Sequence, residues 1–448
     1  MTVAVKERAA TPFVGEFDAF EKKASAAGPG WLMPIRKAAI ARFAEVGIPT
    51  TRDEDWRYTN VSGIAKRGFR MRTGAAPAVQ ASEIEPFVIG VAAGVRLVFV
   101  NGAFSAALSR CPSAGKGVAV GSLTEALKNG SAWVHEHLTH WARYQAFPFA
   151  ALNTAFMEDG AVVHVPRGVV VESPIEIVHL TTAGDAGSVN YPRTLIVAEA
   201  QSQVTVTETY AGLNGSYFND VVTEIVAGES AVVDYYKVVR ERPGAFHVGL
   251  LHVQQHRSST FTAHTSVLGE ATVRNNVTAV MDGEGCDCTL NGMGMMEGDG
   301  LVDNHLRVEH AKPHCRSWEY YKAILDGRSR GVFTGRIVVS EGAQKTDAKQ
   351  TNMNLILSDE ALADSKPQLE IFADDVKCTH GATIGQIDGD AIFYLRSRGM
   401  SAAAARSLLV YAFASESLNQ IRVPALRTCL ERLVLDRLPG GRALGAVA

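Results

Sequence analysis

The alternation of apolar and polar positions changes character twice along the 448 residues. Up to about residue 159 apolar positions recur at helical spacing. Over 31–46 Ala, Ile and Leu predict a helix that Gly47 and Pro49 close. Ser122 or Thr124 is placed to cap a second helical stretch whose buried face carries Trp133, Leu138 and Trp141. Between the two, 95–100 reads as one short strand ending in the turn pair Asn101-Gly102.

From about 161 to 398 the period shortens to two. Within 203–210, Val204 and Val206 take one face, Thr205 and Thr207 the other. Runs 162–165, 175–180, 194–198, 221–226, 231–239 and 336–339 read the same way. Turn signals at Gly228, Gly269, Gly283, Gly298, Gly327 and Gly342 are separated by 41, 14, 15, 29 and 15 residues. These gaps are close to multiples of about 14 to 15, as stacked coils of a solenoid produce when each covers the edge of its neighbour. An antiparallel sandwich or barrel also gives even spacing. More than two hundred residues of strand with no obvious helix tilt the balance to the solenoid, because large sandwiches usually split.

After Gly399 the helical period returns. Ser401 can cap a helix reaching about Ser415, with Leu408, Leu409, Ala412 and Phe413 on one side. Pro424 suits a first helical turn, and Leu426, Leu430, Leu433 and Val434 follow as an apolar stripe ended by Gly440-Gly441. The pattern divides the chain into 1–160, mostly helical; 161–398, strand-rich; and 399–448, helical. The last pair of helices reads as a plug over one end of the sheets or as a docking arm for a partner, and the plug is the plainer reading.

Composition narrows the class. Hydrophobic residues are 46%, charged residues 20% and net charge -3, a globular balance with no pull towards nucleic acid or an anionic membrane. No apolar run reaches the roughly 18 residues of a membrane span. Residues 1–12 lack the apolar stretch of a secretory signal, and the six cysteines are scattered without a CxxC, as in a reducing compartment. A cytoplasmic protein is expected; an import sequence removed before this numbering is left open.

Cys378-Thr379-His380 is the strongest chemical feature. On a strand, positions i and i+2 share a face, so thiol and imidazole stand side by side. Both suit iron and zinc, but two donors cannot complete a tetrahedral site, so the others must come from elsewhere in the chain or another subunit. Cys286-Asp287-Cys288 has the same spacing and reads more plainly as interior packing. His305, His310, His314 and Cys315 fit no zinc pattern, and among His135, His137 and His140 only the last two could share a helical face. The chain has no G-x-S-x-G, no H-E-x-x-H and no P-loop, so ATP hydrolysis is not expected of it. Carboxylates such as Asp299 and Asp303 could in principle act as an acid–base pair, as in carbohydrate-active β-helices, but nothing in their surroundings singles them out.

Several blocks then point to a family. Pro313-His314-Cys315-Arg316-Ser317, Gly331-Val332-Phe333-Thr334-Gly335-Arg336-Ile337 and Gly342-Ala343-Gln344-Lys345-Thr346-Asp347-Ala348 resemble the C-terminal core of the SufB/SufD family of iron–sulfur cluster assembly proteins. So do Leu369–Thr383, which contains D-D-V-K-C-T-H-G-A-T, and Phe393–Gly399; Glu54, Trp56, Arg57 and Tyr58 resemble the family's N-terminal motif. SufB members usually carry an N-terminal CxxCxxxC cluster, whereas this chain has no cysteine before Cys111, so the resemblance is to the SufD branch, with a SufB-like sulfur-accepting paralogue as the alternative.

The resemblance implies a right-handed parallel β-helix core with helical N- and C-terminal regions. It implies a non-catalytic scaffold subunit that pairs with SufB through the β-helices, with a transient iron–sulfur cluster at their interface. Cys378 and His380 match the positions proposed to contribute ligands or iron from this side. A SufC ATPase would dock on the C-terminal helices, which moves the docking-arm reading ahead of the plug, with Leu408, Leu409, Phe413 and Leu430 as candidate anchors. Sulfur would reach SufB from a cysteine desulfurase and its carrier. Whether a flavin joins the complex, and whether a homodimer forms without SufB, is left open.

Overall fold

The computed structural model describes residues 12–71, 78–90, 94–182 and 187–441. Among them two long sheets face each other and wind together as one parallel β-solenoid, with helices before and after it. One sheet runs from Ala119–Ser122 and Ala161–Val165 through Arg193–Ala198, Tyr217–Ala227, Phe246–Gln255, Thr272–Met281, Leu301–His310 and Arg330–Val339 to Leu362–Ile371. The other runs from Ala103–Phe104 and Arg96–Val100 through Ile175–Thr182, Gln203–Asn214, Val232–Arg240, Thr260–Gly269, Asp287–Met296, Arg316–Leu325 and Asp347–Ile356 to Lys377–Gly385. The solenoid expectation holds over the sandwich because successive strands alternate between the sheets and pair in parallel with the strand two places earlier.

Paired residues such as Asp287 and Arg316, or Leu301 and Arg330, are 29 residues apart. The spacing of about 14 to 15 read from the turns is therefore half a coil, one strand and one corner. Corners pack tightly: a Cβ on Gly283 would stand 2.0 Å from the backbone nitrogen of Arg257 in the coil before it.

Side chains stack in columns inside the lumen. One column is Val204, Val233, Phe261, Cys288, Ser317, Ala348 and Cys378, and the next is Val206, Tyr235, Ala263, Leu290, Glu319, Gln350 and His380. The early members are fully buried and apolar, and their removal from water drives the coiling. Deeper in, polar groups satisfy one another. Burial pushes Glu208 up, but hydrogen bonds from His179, Thr194 and Tyr235 and the His179 charge outweigh it and hold the carboxyl at about 2.

The N-terminal helices Leu32–Val46 and Pro148–Phe156 pack with Pro12–Ala27 over the outer face of the first sheet through Phe17, Phe43, Phe149, Phe156 and Phe218. Gly47 at φ 63 ends Leu32–Val46, and the Ser122 hydroxyl accepts from Glu125 N to cap Leu123–Lys128. The helix expected around Trp133 is short, Ala132–His137, with Leu138 buried just beyond it. The solenoid begins earlier than the pattern suggested: Arg96–Val100 joins the second sheet, and Asn101-Gly102 turns it into Ala103–Phe104. Both sheets start in these short antiparallel strands.

Strand structure stops at Gly385, not 398. The Asp388 side chain accepts from Asp390 N at 2.9 Å and opens a helix, Gly389–Ser397, that the pattern missed. Ser401 caps Ala402–Leu418 through Ala404 N at 3.1 Å, and Pro424–Leu435 follows. The plug reading fails here. The two helices lie along the flank of the second sheet, against Tyr236, Val238, Leu268, Met293, Met295, Ile324 and Leu355. Lys322 fastens the first of them, donating to the Phe413 carbonyl at 3.0 Å and the Glu416 carboxylate at 2.5 Å. Among the described residues neither helix covers the end of the solenoid.

Candidate functional site

The open end consists of the last two strands, Leu362–Ile371 and Lys377–Gly385, each paired on one side only. Leu362, Phe372, Ile384, Phe393 and Tyr394 are all more than half exposed around it. The two free edges differ. Leu362 and Phe372 donate their N–H groups to the neighbouring strand, so alternation turns the nitrogen of Pro367, midway between, to the free side. A proline there takes a donor from that edge. On the other strand Lys377 N donates to Thr346 O, so residues 378, 380, 382 and 384 direct their N–H groups to the free side, and none of them is proline.

Cys378 and His380 lie on this unobstructed strand. Their register partners, Ala348 and Gln350, are buried, which places both on the lumen face, as the i, i+2 spacing predicted. Cys378 is half-buried against Ile337, Val339, Ala348 and Ala373, whereas His380 is exposed and its ring makes no hydrogen bond among the described residues. Burial and the nearby Asp347 push the Cys378 thiol up. Among the described residues no group of three or more His, Cys, Asp or Glu side chains could hold a metal ion. The pair is thus a thiol and an imidazole side by side on the lumen face of the last coil.

The remaining candidates are not brought to this place. Cys288 is sealed in the same lumen column, and Cys286 and Cys315 stack at a corner, their thiols 3.1 and 3.2 Å from the Gly283 carbonyl. His305 contacts Arg274, His310 bonds Ser317, and His314 is exposed in a turn. His135 packs on Trp31, and His137 and His140 flank Trp141. Asp299 forms an exposed ion pair with Arg328, while Asp303 is buried on Arg274 and Thr59, so the two do not act as a glycosidase pair. Leu408, Leu409 and Phe413 are half-buried on the flank. Leu430 is only 1% exposed in the core between helix and sheet and is withdrawn from the candidate contact surface.

Two residues escaped the sequence reading. Glu319 and Gln350 lie in the His380 column, buried directly beneath it, with the Gln350 amide donating to Glu319 Oε2 at 2.5 Å. Burial pushes the Glu319 carboxyl up to about 7. The only signal for them was parity: Ser317, Glu319 and Tyr321 share a phase with Cys288 and Leu290 across the ladder.

Comparison with known proteins gives a consistent result. Residues 179–413 match the model of the SufBD core domain of the SUF iron–sulfur cluster assembly system, and residues 9–177 match that of the SufBD N-terminal region. The chain is 33% identical to an iron–sulfur cluster assembly SufBD family protein of Synechocystis over 436 residues, 94% of this chain and 95% of that one. It is 31% identical to SufD of Escherichia coli over 417 residues, 91% and 93% of the two chains. With SufD of Bacillus subtilis it shares 23% over 415 residues, 91% and 94%.

Proposed function

Because this chain belongs to the SufBD family of iron–sulfur cluster assembly proteins, we propose that it is a non-catalytic scaffold subunit filling the SufD place in a SufB–SufC–SufD complex. SufB pairs with the open end of the solenoid, and a nascent cluster, the cargo of the complex, forms where the two meet. The observation that carries this reading is the position of Cys378 and His380: a thiol and an imidazole on the lumen face of the one terminal strand whose edge is unobstructed. A partner strand added to that edge would bring further donors over the pair. Ferrous iron binding then draws the proton from the Cys378 thiol, whose burial otherwise keeps it neutral.

SufC, which supplies ATP hydrolysis, docks on the flanking helices Ala402–Leu418 and Pro424–Leu435, where Leu408, Leu409 and Phe413 are partly accessible. Sulfur arrives on SufB from a cysteine desulfurase and its carrier. The test is the double substitution Cys378→Ala/His380→Ala in chain co-expressed with SufB and SufC. After anaerobic reconstitution the expected result is an intact complex that has lost its iron–sulfur absorbance. An intact complex that builds the cluster to the wild-type level would refute the assignment.

A further inference from the structure

The column beneath His380 changes chemistry where it nears the mouth. Val206, Tyr235, Ala263 and Leu290 give way to Glu319, Gln350 and then His380. Glu319 and Gln350 are 2% and 1% exposed, and among the described residues Glu319 Oε1 and Gln350 Oε1 have no hydrogen-bond partner. Polar groups in such a place are destabilising unless they meet a partner, and in this column Val206, Ala263 and Leu290 show that apolar side chains fill the same position in coils behind.

The space is also reserved. A Cβ on Gly335, in the facing sheet, would stand 2.1 Å from Gln350 Nε2, so the amide in its present position occupies space that the glycine leaves. The carboxylate of Glu319 accepts from Gln350 Nε2 and so fixes which way the amide lies. That leaves Gln350 Oε1 as an acceptor with one rung beyond it, and that rung is His380.

Resting on the reading above, we propose that Gln350, clamped by Glu319, is a positioning residue for His380: when the partner closes over the mouth, Gln350 Oε1 accepts the N–H of one ring nitrogen, so the other nitrogen presents its lone pair to the metal. Metal-bound histidines commonly donate their second nitrogen to such an acceptor, which sets tautomer and ring orientation. The pair touches no metal itself; it acts through the ring.

The test uses the assembled complex with SufB and SufC, cobalt(II) as the probe, and a pH of 8, at which Glu319 accepts. Cobalt gives a thiolate-to-metal band that reports Cys378 and ligand-field bands that report the imidazole. Gln350→Met keeps the side-chain length and removes the acceptor. It is expected to leave assembly and the thiolate band in place, shift the ligand-field bands and weaken cobalt binding by about tenfold. Exchanging the two groups, Glu319→Gln with Gln350→Glu, keeps a donor at position 319 and an acceptor at position 350 and should restore both. Unchanged affinity and spectrum in Gln350→Met overturn the inference alone, as does failure of the exchange to rescue. Cobalt spectra indifferent to Cys378→Ala and His380→Ala overturn it together with the proposed function.

Discussion

At the scale of single residues, the molecule is governed by which way each side chain points from its strand. Phe261 occupies the lumen between Val233 and Cys288 and is fully buried. Phe261→Ala should destabilise the fold by about 3–5 kcal/mol, because the coils on either side cannot close the void. Denaturant unfolding checks this; a loss below about 1 kcal/mol would mean the stack relaxes. The same alternation made Cys378 and His380 legible in the sequence, since their spacing alone puts them on one face. It concealed Glu319 and Gln350, because hydropathy there runs against position: Trp318 is 54% exposed while Glu319 is buried. A reader guided by polarity assigns them the wrong way round.

At the scale of elements, the turn signals revealed the solenoid, and their period misjudged it by a factor of two because each coil has two strands. Alternation failed where helices cover the outside: every residue of Tyr217–Ala227 is buried on either face. The helix Gly389–Ser397 was missed because it buries none of its residues, so no amphipathic stripe distinguishes it. The terminal strand Lys377–Gly385 carries its own prediction. Ala382 directs its N–H to the free edge, so Ala382→Pro removes an edge donor while sparing the pairing with Asp347–Ile356. The variant should melt within a few degrees of wild type yet bind SufB at least about tenfold more weakly, a change of about 1.4 kcal/mol. Undiminished binding by titration calorimetry would place the contact off this edge.

At the scale of the whole molecule, buried titratable groups couple folding to pH with opposing signs. Burial lowers His247, His264 and His310 from the usual 6.5 to about 4. The unfolded chain therefore binds protons there that the native one refuses, and stability falls as pH drops from 6.5 to 4, by about 1.4 kcal/mol per unit for each histidine. Glu319, raised by burial to about 7, acts in reverse: the native state keeps its proton while the unfolded state loses it above 4.5, so its contribution declines as pH rises to 7. Between pH 4.5 and 6.5, His264→Asn should flatten the dependence of unfolding free energy on pH, and Glu319→Gln should steepen it. Denaturant midpoints measured across that range decide the matter, and equal slopes in both variants would contradict the assigned environments. The two ends of the solenoid also set a limit on growth. One end closes in the short antiparallel strands Ala119–Ser122 and Ala103–Phe104, and at the other Pro367 bars one of the two edges. Edges so short offer an incoming strand little to pair with, so the free pairing capacity of the stack is concentrated at one mouth, along Lys377–Gly385.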